Sequence, residues 1–321
     1  ADGSATAACV EGSAGDSDYG LAQGFYSYQT SSRPVAAASE RMATHVDENF
    51  LLVVGGWSRT ALDQVDALLE DGGQPEGMSD RVQEVLASRA AGGKAAFDEE
   101  DLEWVRAWYA ARVQVIDSLV GAFMRRMSDL GLDQRAIVVV LGSNGFALQE
   151  HGDLFGESLY PPVTRVPLMI RLPGVASPRV VSKVVEVVDL MPTILEVTGR
   201  ALPPGIQGGS LLPMLDGGST PPYIAFAESP QSGGQRFVAL GGMAMVSGVG
   251  GGGAELFDLS RDPLASESMA EEEADKLEVM TRHLQAWEKL VAVASLDPEL
   301  KAEEELDEDT LKQLKSLGYI Q

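Results

Sequence analysis

The chain has 321 residues, 45% of them hydrophobic and 22% charged, which is enough apolar side chain to bury a core and excludes a disordered chain. Lys and Arg total 24 against 48 Asp and Glu, and the formal charge of -24 repels polyanions, which argues against nucleic acid or an anionic membrane as a partner. A single cysteine, Cys9, excludes an internal disulfide and a cysteine-built zinc site, and its expected role is core packing.

No run approaches the ~18 apolar residues of a membrane span. The opening "ADGSATAACVEG" has no basic segment followed by an apolar one, so it is not read as a targeting segment. The first element in chain order is "FLLVV", Phe50 to Val54, a short apolar run closed by Gly55 and Gly56 that predicts a buried strand opening onto a loop. From Ala61 to Phe97 the chain is polar and broken by "EDGGQPEG" and "AAGGKAA", which predicts short surface helices with no chemistry of their own.

Leu102, Val105, Tyr109, Val113, Ile116, Val120, Phe123, Met127 and Leu130 recur at steps of three or four, the stripe of a long helix that Gly131 ends. "AIVVVL" follows, Ala136 to Leu141, and its continuous β-branched character predicts a strand covered on both faces, as in a parallel sheet between helices. It runs into "GSNG", Gly142 to Gly145, a small polar turn at the end of a strand, which is where α/β enzymes keep catalytic and binding groups.

"RVPLMIRLPG" predicts another short strand with a Pro-Gly turn, and "VVSKVVEVVDLMPTILEVTG" a strand-like stretch feeding a helix. Asp189 is placed to cap that helix, with Pro192 in its first turn and Gly199 at its end, and the cap outweighs a ligand role. After "PMLDGGSTPP" the pieces "YIAFAE", "RFVAL", "MAMVS" and "ELFDL", separated by glycine-rich turns, predict an antiparallel meander. Gly250 to Gly253 lack the Lys and Ser or Thr of a phosphate loop and read as a hairpin tip. A helix over Ala274 to Ala294 follows, with Leu277, Met280, Leu284, Trp287 and Leu290 on one face. The acidic stretch "KAEEELDEDT" reads as solvated tail.

Nine pieces in order carry a resemblance: "GLAQGFYSY", "YAARVQVIDSLVGAFMRRMSDLGL", "AIVVVL" with its turn, "QEHGDLFGES", "RVPLMIRLPG", "VVDLMPTILEVTG", "GIQGGSLLPML", "ELFDLSRDP" and "LKSLGYI". Together they resemble the sulfatase family of the alkaline phosphatase superfamily. The resemblance implies an α/β fold with a mixed, largely parallel sheet flanked by helices, and a small C-terminal antiparallel α+β subdomain. It divides the chain into a sulfatase-like domain over 1–220 that lacks the N-terminal part of the family domain, the small subdomain over 221–295, and an acidic tail over 296–321.

In that family a calcium or similar cation at the strand ends is held by acidic and amide side chains. A Cys or Ser in the pattern Cys or Ser, any, Pro, any, Arg becomes the formylglycine nucleophile. The family usually carries Ser-Asp-Asn-Gly or Ser-Asp-His-Gly where this chain has "GSNG". Asn144 therefore keeps an amide ligand, while Ser143 stands where the metal-binding carboxylate belongs, and a hard dication wants anionic oxygens.

Cys9 is followed by "VEGS" rather than the modification pattern, and Asp16 and Asp18 lie in a turn-like stretch that suits a loop better than a metal. The family's first strand with its paired aspartates and its nucleophile both precede the part matched here. "WSR" replaces the expected Asp-Pro-His, so Arg59 is a weak candidate to grip a tetrahedral anion but not a general acid. Ala244 stands near the place of a substrate-side lysine. His151 in "QEHG" is a weak catalytic candidate and a structural hydrogen-bonder by default, while His45 and His283 offer less, a solvated or capping role sufficing for His283.

The expectation is a sulfatase-like protein without catalysis that keeps the scaffold for binding or assembly, and with no cofactor beyond a weakly held calcium as the alternative. The second reading is part of a sulfate- or phosphate-ester hydrolase whose nucleophile and remaining metal ligands lie on another stretch of polypeptide. A partner would then be another polypeptide covering the missing N-terminal strand, or an assembly partner. A third reading takes the acidic tail as a calcium-responsive or protein-binding surface. Because family members are commonly exported, the resemblance also implies a periplasmic, cell-surface or secreted address.

Overall fold

The computed structural model describes residues 5–11, 22, 25–55, 62–73, 78–87 in part, 99–152, 156, 158–175, 177–203, 205–215, 223–229, 234–248 and 253–294. Arg59, Asp16, Asp18, the glycines from Gly250 to Gly252 and the acidic tail lie outside them. Two compact units form, one from Ala1–Val140 with Met169–Ala176, the other from Leu141–Leu168 with Ser177–Gln321.

The first unit holds a parallel sheet of order β2-β1-β3, made by β1 (Ala5–Val10), β2 (Ser27–Thr30) and β3 (Phe50–Gly55). Register is set by Ala7 opposite Ser27 on one side and Leu52 on the other. The central strand was not evident in the sequence, because alanines carry little strand preference. Their small size is what the packing uses: Ala7, Ala8 and Cys9 are all buried, and helix α1 (Pro34–Thr44) lies on β1 and β3 with Ala38 fully buried. Cys9 is a core residue as expected, and burial raises its thiol pKa.

Helix α2 (Leu62–Asp71) and the long α3 (Glu99–Asp129) pack on each other, and α3 also meets α1. Gly131, at φ 68°, ends α3: Leu132 N–H donates to the Met127 carbonyl and Gly131 N–H to that of Ser128, closing the paired bonds of a glycine C-cap. The buried face differs in its middle from the predicted stripe. Trp108, Ala111 and Val115 are buried, while Val113 is 48% exposed. An apolar residue also stands one position off the buried line, so spacing alone picked the wrong neighbour.

Strands β4 (Val138–Leu141) and β5 (Leu168–Arg171) form a separate two-stranded sheet. β3 and β4 both rest on a cluster of Met42, Met127 and Leu132, to which they give Phe50, Leu52 and Val138. β4 is not covered throughout on both faces as predicted, since Leu141 is 40% exposed, and β3 is less buried than expected, with Leu51 47% and Val53 40% exposed. Each has one strand neighbour, so the cover that a buried parallel sheet needs is incomplete among the described residues.

In the second unit, β6 (Ile224–Ser229), β7 (Gln235–Leu240), β8 (Met243–Ser247) and β9 (Ala254–Asp258) make the expected antiparallel meander in chain order. Gly241 and Gly242, at φ 59° and 88°, make the two-residue turn that matches strand twist. Helix α7 covers Ala274–Ala294 with Met280, Leu284, Leu277 and Trp287 against one sheet face. No described helix is long and apolar enough to cross a membrane.

The expected strand before Asp189 does not form. Val180 to Val185 run without strand pairing into a single turn, Val187–Asp189, and then α5 (Leu190–Val197). Asp189 makes no side-chain cap bond to α5, contrary to expectation: it is the third residue of the preceding turn, whose N-cap is Glu186. Its carboxylate accepts the Glu186 and Gly209 N–H groups, both at 2.8 Å, while the Glu186 carboxylate accepts the Phe226 N–H. Burial raises the Asp189 pKa, against the pull of those two donors. Thr193 extends the tie, donating to the Asp189 carbonyl and accepting from Leu211 N–H. Asp189→Ala is expected to destabilise this unit by about 1–3 kcal/mol in urea unfolding, by leaving buried donors without an acceptor. An unchanged midpoint would show that the carboxylate is not needed.

Candidate functional site

The turn after β4 is shaped by close backbone approach. Gly142 N–H donates to the Pro167 carbonyl at 3.0 Å and Gly145 N–H to the Val163 carbonyl at 2.7 Å, so the tetrapeptide is pinned at both ends. A Cβ on Gly145 would lie 1.9 Å from the Pro162 carbonyl oxygen, and one on Gly142 would lie 3.1 Å from Pro167 Cδ. Both glycines are therefore demanded by the helical turn α4 (Pro161–Thr164) and the chain that follows it. Gly156, at φ 144°, closes the other side, where a Cβ would stand 3.2 Å from the Gly145 carbonyl and 3.3 Å from Asn144 Nδ2.

Ser143 and Asn144 sit exposed between these fixed ends. The Ser143 hydroxyl donates to Asn144 Oδ1 at 3.0 Å, and Asn144 Nδ2 donates to the Gly145 carbonyl at 2.9 Å. The amide is thus turned onto its own backbone, with its oxygen occupied by the neighbouring hydroxyl. Among the described residues no three His, Cys, Asp or Glu side chains converge as a metal site requires. Two neutral oxygens do not fit calcium, which takes about six to eight oxygen ligands with carboxylates among them.

His151 is held by the same unit. Its ring stacks on Tyr160 at 3.5 Å and 2°, meets Phe257 edge-on at 6.5 Å, and its Nε2 bonds the Leu264 carbonyl at 3.0 Å. Because a carbonyl only accepts, Nε2 carries the proton, and only Nδ1 remains for proton transfer. The backbone is left-handed here, at φ 55° for His151 and 81° for Gln149, a conformation that costs about 1–3 kcal/mol per non-glycine residue. Tyr160 in turn donates its hydroxyl to the Glu255 carboxylate. Burial first, then that bond and the Glu255 charge, push the phenol well above its ordinary range. These contacts give His151 a loop-anchoring role that spacing in the sequence could not reveal, since Leu264 and Phe257 lie about a hundred residues away, although Tyr160 is near.

The other candidates separate from this group. Ala244 is fully buried, in a cluster with Phe257, Phe237 and Leu159, so a lysine there would have to enter packed core. His45 closes α1 through Nδ1 contacts to Thr44 Oγ1 at 2.9 Å and the Arg41 carbonyl at 3.0 Å. His283 lies on α7 and burial lowers its pKa. Sequence reading passed over Glu11, which directly follows β1 and is only 8% exposed. Its charge helps hold up the pKa of Arg112, which burial lowers, and the Arg112 guanidinium lies 4.4 Å over the Trp108 ring. A carboxylate ending an apolar run, "AACVE", was the available signal.

Two substitutions test this packing. Gly145→Ala is expected to cost at least about 1–3 kcal/mol because backbone must move, and wild-type stability would refute the close approach. Ala244→Lys is expected to cost about 3 kcal/mol or more by placing an unpaired charge in the core. Wild-type stability there would show that the position opens to solvent.

A family model described as Sulfatase matches residues 73–200. Arylsulfatase K of Xenopus laevis is 35% identical over 125 residues, covering 39% of this chain and 23% of that protein. Arylsulfatase K of Mus musculus is 31% identical over 186 residues, covering 52% of this chain and 32% of that protein. The chain thus spans about a quarter to a third of these relatives. A solved structure in complex with its substrate D-glucosamine-2-N,6-O-disulfate superposes with a TM-score of 0.67 at 15% identity, covering 94% of this chain and 82% of the other. That likeness shows the alkaline phosphatase-like fold, a parallel sheet with helices and a small antiparallel sheet. Over residues 73–200 by sequence, and by fold over most of its length, the chain is similar to sulfatases.

Proposed function

We propose that this chain is a sulfatase-like scaffold without catalysis of its own, used for binding or assembly. The observation that supports it most directly is the strand-end turn, where Ser143 stands in the expected carboxylate position and its hydroxyl occupies the Asn144 oxygen. With the described donors too few and too neutral for a hard dication, the turn lacks the charge that would stabilise a sulfate ester's developing anion. Ala244 in the core and His151 committed through Nε2 to a carbonyl support the same reading. Calcium is at most weakly held, and the address is extracytoplasmic by likeness to exported family members.

The second reading has a specific support. Among the described residues β3 and β4 each have a single strand neighbour, which suits part of a sulfate- or phosphate-ester hydrolase whose nucleophile and remaining ligands are carried by another stretch of polypeptide. Both readings place the partner among polypeptides rather than nucleic acids.

A chromogenic aryl sulfate assayed with calcium separates them from an intact enzyme. The expected rate is background, and a calcium-dependent rate well above it, lost in Asn144→Ala, would contradict the scaffold reading. In calorimetric titration, Ser143→Asp is expected to raise calcium affinity at least about tenfold, or about 1.4 kcal/mol, without bringing hydrolysis. Unchanged affinity would show that the turn keeps a packing role only.

A further inference from the structure

The starting ends of β1, β2 and β3 and the last turn of α1 enclose a hollow in the first unit. Tyr26, Ser27, Arg41, Met42, His45 and Phe50 line it. Parallel α/β sheets ordinarily bind ligands at the finishing ends of their strands, so a hollow at the starting ends is a separate place. Met42 is buried and closes the floor with Phe50 packed against it, while Tyr26 stands 86% exposed at the rim.

The polar groups of the hollow are held by hydrogen bonds. Arg41 Nη2 donates to the Ser27 hydroxyl at 2.6 Å, which ties the guanidinium to the start of β2. A hydroxyl has no charge to set against the cation, and the guanidinium keeps further donors in the planar fork that matches a carboxylate. That charge also reaches Cys9, where it opposes the rise that burial gives the thiol. The Arg41 carbonyl accepts from His45 Nδ1 at 3.0 Å, so the imidazole wall is anchored to the same residue. Tyr26 N–H donates to Thr6 Oγ1 at 2.8 Å, which fastens the backbone beneath the exposed ring to β1. A ring with two torsions on an anchored backbone loses little freedom when a ligand covers it.

We propose that this hollow binds a small aromatic monocarboxylate, with Arg41 and Ser27 holding the carboxylate and Tyr26 and Phe50 flanking the ring. The hollow offers one permanent cation within a chain of charge -24, so a second negative charge on the ligand meets repulsion with no further fixed charge to hold it. A carboxylate is therefore favoured over inorganic sulfate or a phosphate ester. The flat apolar walls reward an aromatic body, which gains burial that acetate cannot. Glu40, Asp47 and Glu48 are exposed and outside the lining, so salt screens their repulsion. The site goes beyond the scaffold reading and depends on no property of the Ser143 turn, so either can fail while the other stands.

The probe is benzoate, added to the full chain and followed by backbone amide chemical shifts. Saturable binding is expected with a Kd on the order of 1 mM, and with the shifts concentrated at Tyr26, Ser27 and His45. Benzamide keeps the ring without the charge and sulfate keeps charge without the ring, and each is expected to bind at least about tenfold more weakly. Arg41→Gln is expected to weaken benzoate binding at least about tenfold. Because that change also alters the bond to Ser27, Tyr26→Ala is the second variant. Its side chain stands mostly in solvent, so the thermal midpoint is expected to stay at the wild-type value while binding weakens at least about threefold. Absence of saturable binding, equal binding of benzoate and benzamide, or displacement of benzoate by an equal concentration of sulfate would overturn the proposal. So would full affinity in Tyr26→Ala, or shifts concentrated at Ser143 and Asn144.

Discussion

Within the first unit the packing of Met42, Met127 and Leu132 is the constraint on which the other elements depend. Met42 comes from α1, Met127 from the last turns of α3 and Leu132 from the residue just past the Gly131 cap. The cap puts Leu132 there, because the left-handed glycine turns the chain back under its own helix. From that floor β3 and β4 both start, and the strand-end turn follows directly after β4. A short C-cap thus decides where the candidate site begins in the chain.

The second unit was the more legible one in the sequence, for a physical reason. Every pairing of its meander joins strands adjacent in the chain, so alternation and glycine turns are local signals that determine pairing directly. Helix α7 likewise shows its face at regular steps against a single sheet surface. In the first unit the signals compete. The alanines of β1 look nondescript and yet occupy the sheet centre, because small side chains let α1 approach. The stripe of α3 offers apolar residues on both sides of the true line, so periodicity found the helix and its end but misplaced the middle of its buried face. The valines from Val180 to Val185 have strand composition and no partner strand among the described residues, and composition cannot supply one.

The candidate site divides in the same way. The identity of Ser143 and Asn144 at a strand end was visible in four letters, and the structure explains the flanking glycines by contact with Pro162 and Pro167 about twenty residues on. What could not be read was the role of His151, since Phe257 and Leu264 reach it from more than a hundred residues away and complete the hold that Tyr160 begins by stacking nine residues on. Glu11 was hidden by the ordinariness of its surroundings. Neutral donors at the turn and a ring nitrogen given to a carbonyl make this a place well held by its surroundings.

Among the described residues β3 and β4 each have one strand neighbour, and that limit on their backbone pairing joins the fold to the site. Hydrogen exchange on the chain alone tests it most directly, because amide protection reports the partners that each backbone N–H possesses. The account predicts slow exchange along β1 and in β7 and β8, which have strands on both sides, with markedly faster exchange at alternate amides of β3 and at Val138 to Val140. Protection of β3 and Val138 to Val140 equal to that of β1 would contradict it, since the edges would then already be covered.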